Sequence, residues 1–211
     1  MNSHPHPKDL VNFPLLSLPK IQEFGNFSEE KWTKITQIIM IMRKCKAASR
    51  YHGAYPGGLW DHVRLVISLA CHIHSSLNSQ VIRADLVRAA LYHDWGKMLV
   101  HPNANFRKFV ERHYVFKPPR KLEDIAFMIE QKFGYTIAHP YQTLTSPRDH
   151  TLKSLYILAN MKFKENSEVI KAIMFHHGGW SDFKRDGRTD DTPTAAILHS
   201  ADLIAAHTLE I

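Results

Sequence analysis

The sequence predicts an all-α protein in which a single helical bundle follows an irregular N-terminal arm. Apolar residues recur mostly at helical spacing, and alternating Val- and Ile-rich runs bounded by hairpin turns are absent from the sequence. The chain has 211 residues, 44% of them hydrophobic and 22% charged, which is enough for one substantial core. Residues 1–27 are rich in proline. We therefore expect this stretch to form the arm and residues 28–211 to form one domain.

The helices of the bundle are expected in order along the chain. They are predicted at about 28–48, from 59 onward, and at 84–93, 121–133, 147–161 and 167–176. Asn26 or Ser28 is the expected N-cap of the first helix, because both residue types accept hydrogen bonds from free backbone N–H groups. Thr192 as N-cap with Pro193 at the first helical position predicts the start of the last helix.

Charge and cysteine usage limit the partners and the compartment. Lys and Arg number 27 against 20 Asp and Glu, which favours an anionic partner, although a solvated basic face without a partner is the alternative. No membrane partner is expected, because no stretch approaches the apolar length of a span. Neither a membrane span nor a secretory signal is visible, and Cys45 and Cys71 are too few for a disulfide framework or a thiolate metal site. We therefore expect a cytoplasmic protein whose metal ligands are nitrogen and oxygen atoms.

Residues 101–120 form the least regular segment, and their basic residues alternate with aromatic ones. The aromatic residues are Phe106, Phe109, Tyr114 and Phe116. This pattern is typical of a lid over a nucleotide or of a surface for single-stranded nucleic acid, with a partly packed connecting loop as the alternative.

The stretch "ALYHDWGK", residues 90–97, places His93 and Asp94 at the end of an apolar run. Burying a carboxylate and imidazoles costs several kcal/mol unless they are paired, and one divalent cation pairs them all. Adjacent helical residues point about 100° apart, so the pair converges on one ion only if the helix end faces the site. Gly96 would let the backbone turn away, which leaves Lys97 at the rim to meet an anion.

Further candidate ligands lie in helical settings along the chain. They are His62, His150, His176, His177 and Asp202. His62 shares an apolar stripe with Val66 and Leu69, so it points inward. Taken singly, each candidate has an ordinary alternative, such as a hydrogen-bonded core histidine. The ordered series H, HD, H, HH, D instead predicts a metal site, and His199, one turn before Asp202, is expected to support a ligand.

Four motifs carry a resemblance to a known family: "YHGAYPGGLWDH", "YHDWGK", "FHHGGW" and "TPTAAILHSADLIAA". With these motifs in this order, the chain resembles the HD-domain superfamily of metal-dependent phosphohydrolases over about residues 51–206. It is most similar to the HD domain of 3′-5′ exoribonucleases and to the HD domain at the N-terminus of some conjugative relaxases. The resemblance implies a single HD-domain helical bundle.

The resemblance also implies the roles of the candidate residues. One metal ion would be held by His62, His93, Asp94 and Asp202, and a second by His150 and His176, with Asp94 bridging. Either histidine of "FHHGGW" can be the ligand; His176 is preferred and His177 is the reserve. Lys97 would contact the substrate phosphate, so Asp94 and Lys97 are the expected catalytic residues.

We therefore expect a phosphomono- or phosphodiesterase that cleaves a nucleotide or short oligonucleotide through a metal-activated water. Its cofactors would be two divalent transition ions, chosen among Fe, Mn, Co, Ni and Zn. Two alternatives belong to other classes. One is a diiron oxygenase of the HD fold, and the other is a non-catalytic nucleic-acid-binding or sensory HD module. The sequence leaves the oligomeric state and the substrate open.

Overall fold

A computed structural model of the chain describes residues 13–48, 53–100, 108, 136–137, 150–181, 183–184 and 192–209. Over these residues the fold is all-α, as predicted. The α-helices are α1 (Leu18–Phe24), α2 (Glu29–Met42), α3 (Gly58–Ser76), α4 (Arg83–Tyr92), α5 (His150–Asn160), α6 (Ser167–Phe175) and α7 (Pro193–Ile204). Shorter elements are 3₁₀ turns at Trp95–Val100 and Gly178–Trp180 and a π-helix at Ala205–Leu209. Two short strands, β1 (Thr136–Ile137) and β2 (Phe183–Lys184), pair antiparallel, with Thr136 opposite Lys184.

Two helix starts follow the predicted capping pattern. The Ser28 hydroxyl accepts a hydrogen bond from the Lys31 N–H at the start of α2. Thr192 accepts one from the Ala195 N–H at 3.2 Å, with Pro193 in the first turn of α7. Side-chain caps of this kind satisfy N–H groups that have no partner inside the helix.

The end predicted for the first long helix, near residue 48, is wrong, because α2 ends at Met42. The chain tightens there, and the Cys45 carbonyl accepts hydrogen bonds from the N–H groups of Gly57 and Leu59 at 3.0 and 3.1 Å. These bonds tie the segment after α2 to the beginning of α3, so the backbone has to leave the helix early.

The arm that the sequence predicts to be irregular contains helix α1. Ile21 of this helix is fully buried, and the Leu16 N–H just before it donates to the Ser68 hydroxyl of α3 at 2.9 Å. A two-turn helix with one buried residue gives no periodic hydrophobic signal, which is why sequence reasoning missed it. Residues 1–12 of the arm lie outside the described residues.

Four helices enclose the core around the C-terminal end of α4. Helix α3 packs against α4 and α7, and α6 contacts the same two helices from the other side. Helix α5 lies against α6 and the 3₁₀ turn that follows α4. Trp95, Tyr92 and Phe175 are fully buried in this core, and each such side chain stabilises the fold by roughly 1.5–3 kcal/mol. The end of α4 is therefore enclosed by its neighbours.

A buried carboxylate also holds the C-terminal half of α4. The Glu165 side chain is fully buried and pairs with Lys31 of α2 and with Arg88 of α4, whose Nη1 lies 3.4 Å from Oε2. The Tyr92 hydroxyl donates to Glu165 Oε1 at 3.1 Å. Because Tyr92 immediately precedes His93, this Glu165 cluster fixes the helix end that carries the His-Asp doublet.

Two predictions fall outside the described part of the chain. They are the helix at 121–133 and the basic, aromatic segment at 101–120, of which only Lys108 is described. Among the helices that are described, none combines the length and the apolar character needed to cross a bilayer.

Candidate metal centre

The structure brings together all of the side chains that the sequence predicts as candidate ligands. They come from α3 (His62), from the end of α4 (His93 and Asp94), from the first residue of α5 (His150), from the turn after α6 (His176 and His177) and from α7 (Asp202). Most of these side chains are buried, whereas His177 and Asp202 are partly exposed. Side chains distant in sequence thus form one polar cluster inside an apolar bundle.

One group of four side chains surrounds a common point. His62 Nε2 lies 3.3 Å from Asp94 Oδ2 and 3.0 Å from Asp202 Oδ1. His93 Nε2 lies 3.4 and 3.7 Å from the same two oxygen atoms. Two imidazoles and two carboxylates therefore direct one donor atom each toward the same small volume.

A second group forms around His150. Its Nε2 lies 3.3 Å from Asp94 Oδ1, 3.4 Å from His176 Nε2 and 3.0 Å from His177 Nε2. Both histidines of "FHHGGW" thus face His150. His176 also groups with His93 and Asp202, so it lies between the two sets.

The separations and the donor types of the cluster fit a divalent cation. Two donors at about 2.1 Å from one ion lie about 3.0 Å apart at a right angle and about 3.4 Å apart in a tetrahedron. His93 Nε2 and Asp94 Oδ1 are buried and make no hydrogen bond of good geometry among the described residues, whereas Asp94 Oδ2 faces the Lys97 ammonium. Leaving such atoms unsatisfied costs about 1–3 kcal/mol each, which a bound cation removes. Imidazole nitrogen with carboxylate oxygen suits divalent transition ions.

In two of the imidazoles, a hydrogen bond from Nδ1 to a backbone carbonyl fixes the ring with Nε2 directed toward the cluster. His93 Nδ1 lies 2.8 Å from the Ala90 carbonyl, and His176 Nδ1 lies 2.6 Å from the Ile173 carbonyl. With the proton on Nδ1, that atom donates to the carbonyl and Nε2 keeps its lone pair for a ligand bond. His199, expected to support a ligand, does contact this region, since its Nδ1 donates to the His176 carbonyl at 2.7 Å.

The doublet converges because the helix ends within it. Helix α4 finishes at Tyr92, and His93 is its C-cap, still with helical dihedral angles of φ −52° and ψ −37°. Asp94 then leads into the 3₁₀ turn, where the Lys97 N–H donates to its carbonyl at 3.0 Å. The helix end thus faces the site, as two neighbouring ligands require.

Gly96 is required for close packing of two backbone segments, and not for the change of backbone direction that the sequence suggests. A Cβ atom at this position would lie 1.8 Å from the His150 carbonyl oxygen, so glycine permits a close approach between the 3₁₀ turn and α5. The expectation that it serves to turn the backbone away is replaced by this packing requirement. His150 reaches Asp94 because the two backbones come so close.

Ser154 is a functional candidate that sequence reasoning missed. Its fully buried hydroxyl accepts a hydrogen bond from the Gly96 N–H at 2.7 Å and lies 2.7 Å from the His93 carbonyl and 2.9 Å from the His150 carbonyl. One hydroxyl therefore joins the two segments that carry the two ligand groups. The sequence signal that could have revealed it is a serine four residues after a candidate ligand, because a helical serine can donate a hydrogen bond to the carbonyl of the preceding turn.

Lys97 lies closer to the ligands than predicted. Its ammonium is 2.6 Å from Asp94 Oδ2, and only 17% of its side chain is exposed. Burial alone would raise the pKa of Asp94, but the charges of Lys97 and His93 outweigh it and hold that pKa well below its usual range. The carboxylate is therefore ionised at neutral pH.

The imidazoles divide into a protonated and a neutral kind. Burial alone would lower the pKa of His93, but Asp94 and Asp202 outweigh this effect and raise that pKa to about 9. Burial, reinforced by neighbouring His177, holds the pKa of His176 well below its usual range. Burial also lowers the pKa of His177. In the metal-free protein, His93 thus carries a positive charge beside the Asp94 and Asp202 carboxylates, whereas His176 and His177 are neutral.

Comparison with curated proteins and with solved structures gives no match. The family model described as HD domain matches residues 59–207, more than half of the chain. That range contains every candidate ligand named above. The finer resemblance to exoribonuclease and relaxase HD domains stays a prediction. The chain therefore belongs to the HD-domain family, a family of metal-dependent phosphohydrolases, as its motif series predicted.

Proposed function

We propose that this protein is a phosphohydrolase that uses two divalent transition ions to cleave a phosphoester in a nucleotide or a short oligonucleotide. The observation that carries the proposal is the position of Asp94 between two groups of imidazoles. Oδ2 faces His62 and His93, and Oδ1 faces His150. A carboxylate with one oxygen toward each group is suited to bridge a pair of ions.

In this proposal the first ion is held by His62, His93, Asp94 and Asp202. The second is held by His150 and His176 with Asp94, and the contact between His177 and His150 supports His177 as a further ligand. Fe, Mn, Co, Ni and Zn all accept such nitrogen and oxygen donors. When bound, the two ions supply an acidified water near neutral pH and positive charge beside the reacting phosphate.

Residues of the chain orient the substrate and fix the protons. The Lys97 ammonium would move from Asp94 to a nonbridging phosphate oxygen, where it offsets negative charge without transferring a proton. Asp94 is ionised before substrate binds because of its lowered pKa, and bound cations would favour the ionised form after Lys97 has moved. The Nδ1 protons of His93 and His176 are held by backbone carbonyls, so these rings take no part in proton transfer.

The proposal is tested by measuring turnover with defined metal content. Metal-free protein and protein loaded with Mn, Fe, Co, Ni or Zn are assayed against aryl phosphomonoesters and diesters, nucleoside monophosphates and a trinucleotide. We expect turnover only with metal, reduced about a hundredfold or more in Lys97→Met. Lys34→Met is the matched control, because Lys34 is exposed on α2, far from the ligands in sequence, and pairs with neighbouring Glu30. Absence of turnover with every metal contradicts the proposal, and strict iron dependence with oxygen uptake favours an oxygenase instead.

A further inference from the structure

An exposed tryptophan follows the candidate ligands His176 and His177 in the turn after α6. Trp180 is 78% exposed, whereas Trp32, Trp60 and Trp95 are buried. Its ring lies against the His199 ring, with 6.2 Å between centroids and an interplanar angle of 63°. The backbone beneath it is fixed, because the Trp180 N–H donates to the His177 carbonyl at 3.1 Å. A large apolar ring is thus exposed to solvent on a hydrogen-bonded turn.

The position of this indole relative to the ligands is set by two short spacings. The hydrogen bond to His177 closes a turn, which keeps the Cα atoms of Trp180 and His177 within about 7 Å. His199 precedes Asp202 by three residues on α7, so the two side chains lie on the same face of that helix. The two rings, Trp180 and His199, therefore adjoin the two candidate ligands that are partly exposed.

The surroundings of Trp180 leave room for a planar group. The Trp180 side chain is itself mostly exposed, and a Cβ atom added to neighbouring Gly179 would meet no atom within 4 Å. Lys97, the cation expected to contact phosphate, is also partly exposed and lies beside Asp94, which is linked through His150 to His177. A ligand that places phosphate at Lys97 would carry its remaining part past the aromatic pair.

We infer that Trp180, with His199 beside it, is a stacking platform for the nucleobase of the substrate, which makes a nucleoside phosphoester the preferred class. This inference rests on the proposed phosphohydrolase function and adds the group that is recognised next to the phosphate. Indole is well suited to this role, because every base has a π-face and stacking on an aromatic side chain tolerates differences of sequence. Trp180 is then a specificity-determining residue for the reaction at the metal centre.

The test compares two ligands that differ only in the base. They are the 5′-phosphonate analogues of adenosine monophosphate and of ribose 5-phosphate, in which carbon replaces the bridging oxygen so that neither is hydrolysed. Binding to Mn-loaded protein is measured by calorimetry. We expect the adenosine analogue to bind about 5-fold to 100-fold more tightly, the range that stacking of one base supplies. That preference should disappear in Trp180→Ala and be retained in Trp180→Phe.

The control is Leu77→Ala, which also removes an exposed apolar side chain, 67% exposed, but at the far end of α3. Leu77 follows His62 by fifteen residues, about 22 Å along the helix, so the preference for the base should be unchanged. Equal binding of the two analogues by the wild type, with hydrolysis intact, overturns the stacking platform alone. A base preference that persists in Trp180→Ala overturns it as well. Failure of both analogues to bind, with no hydrolysis of any phosphoester, overturns the proposed function itself.

Discussion

His150 Nε2 lies 3.3 Å from Asp94 Oδ1, while the other oxygen of the same carboxylate faces His62 and His93. Asp94 therefore connects two groups of imidazoles that come from different parts of the chain. If the two groups hold separate ions, changes in one group should leave the ion of the other in place.

His150→Ala should lower the metal content from two ions per chain to one. The substitution removes the donor that faces Asp94 Oδ1, His176 and His177 but none of the atoms around His62 and Asp202. Inductively coupled plasma mass spectrometry after dialysis gives the stoichiometry. His72→Ala is the control, because His72 is exposed on α3 and contacts the Phe13 ring. Loss of both ions from His150→Ala would show that the groups act as one site.

Metal affinity should rise about tenfold per pH unit up to pH 9 and then level off. The pKa of His93 is about 9 in the metal-free protein, so below that pH its ring carries a proton that a metal ion has to expel. His176 adds no slope there, because its lowered pKa leaves it neutral. Competition titrations with a chelator between pH 6.5 and 9.5 measure the dependence. A flat profile across this range contradicts a protonated His93.

The metal-free protein should lose stability over the same range of pH. His93 has a folded-state pKa near 9 against 6.5 for the ordinary group, so its contribution is fully present below about pH 6.5 and is lost as the pH rises through 9. Urea denaturation at pH 6.5 and 9 compares the free energies of unfolding. His93→Asn should remove most of the difference, and an unchanged difference in that variant would assign it to another group.

Gly96→Ala should destabilise the protein by about 1–3 kcal/mol or more, because the new methyl group meets the His150 carbonyl oxygen at 1.8 Å. It should also weaken metal binding by pushing α5 away from Asp94. Gly179→Ala is the matched control; nothing lies within 4 Å of its Cβ position and its φ is outside the left-handed region. Calorimetric melting should lower the Tm of the first variant by several degrees and leave that of the second within about a degree.

Ser154→Ala should cost about 1–3 kcal/mol, because it leaves the buried Gly96 N–H without its acceptor. Metal affinity should fall as well, since this hydroxyl joins the backbones behind His93 and His150. Ser200→Ala provides the comparison; Ser200 makes the same bond to the preceding turn, at 2.9 Å, but is exposed. Chemical denaturation should place the Ser200 variant within about 0.5 kcal/mol of the wild type. Equal effects of the two substitutions would remove Ser154 from the positioning role.

Features that depend on local spacing could be predicted from the sequence. His62 points inward because Val66 and Leu69 lie on the same stripe, and all three are buried. The cap at Thr192 was visible because capping uses residues close in sequence. For His93 and Asp94, the sequence predicted convergence only if a helix end faces the site. Helix α4 meets this condition, because it ends at Tyr92.

Features that depend on how distant segments pack could not be predicted. Ser154 contacts Gly96 across 58 residues, and no local pattern encodes that distance. The choice between His176 and His177 also stayed open, because it depends on the turn after α6. Gly178 has a φ of 54° there, and both rings lie beside His150.

The buried Glu165 carboxylate has a consequence for any attempt to transplant this centre into another scaffold. A graft of α3, α7 and α4 with the two residues after it would carry His62, His93, Asp94 and Asp202, yet it would leave Arg88 and Tyr92 without their common acceptor. The smallest portable unit therefore includes α2 with Lys31 and the loop that precedes α6, although neither supplies a metal donor.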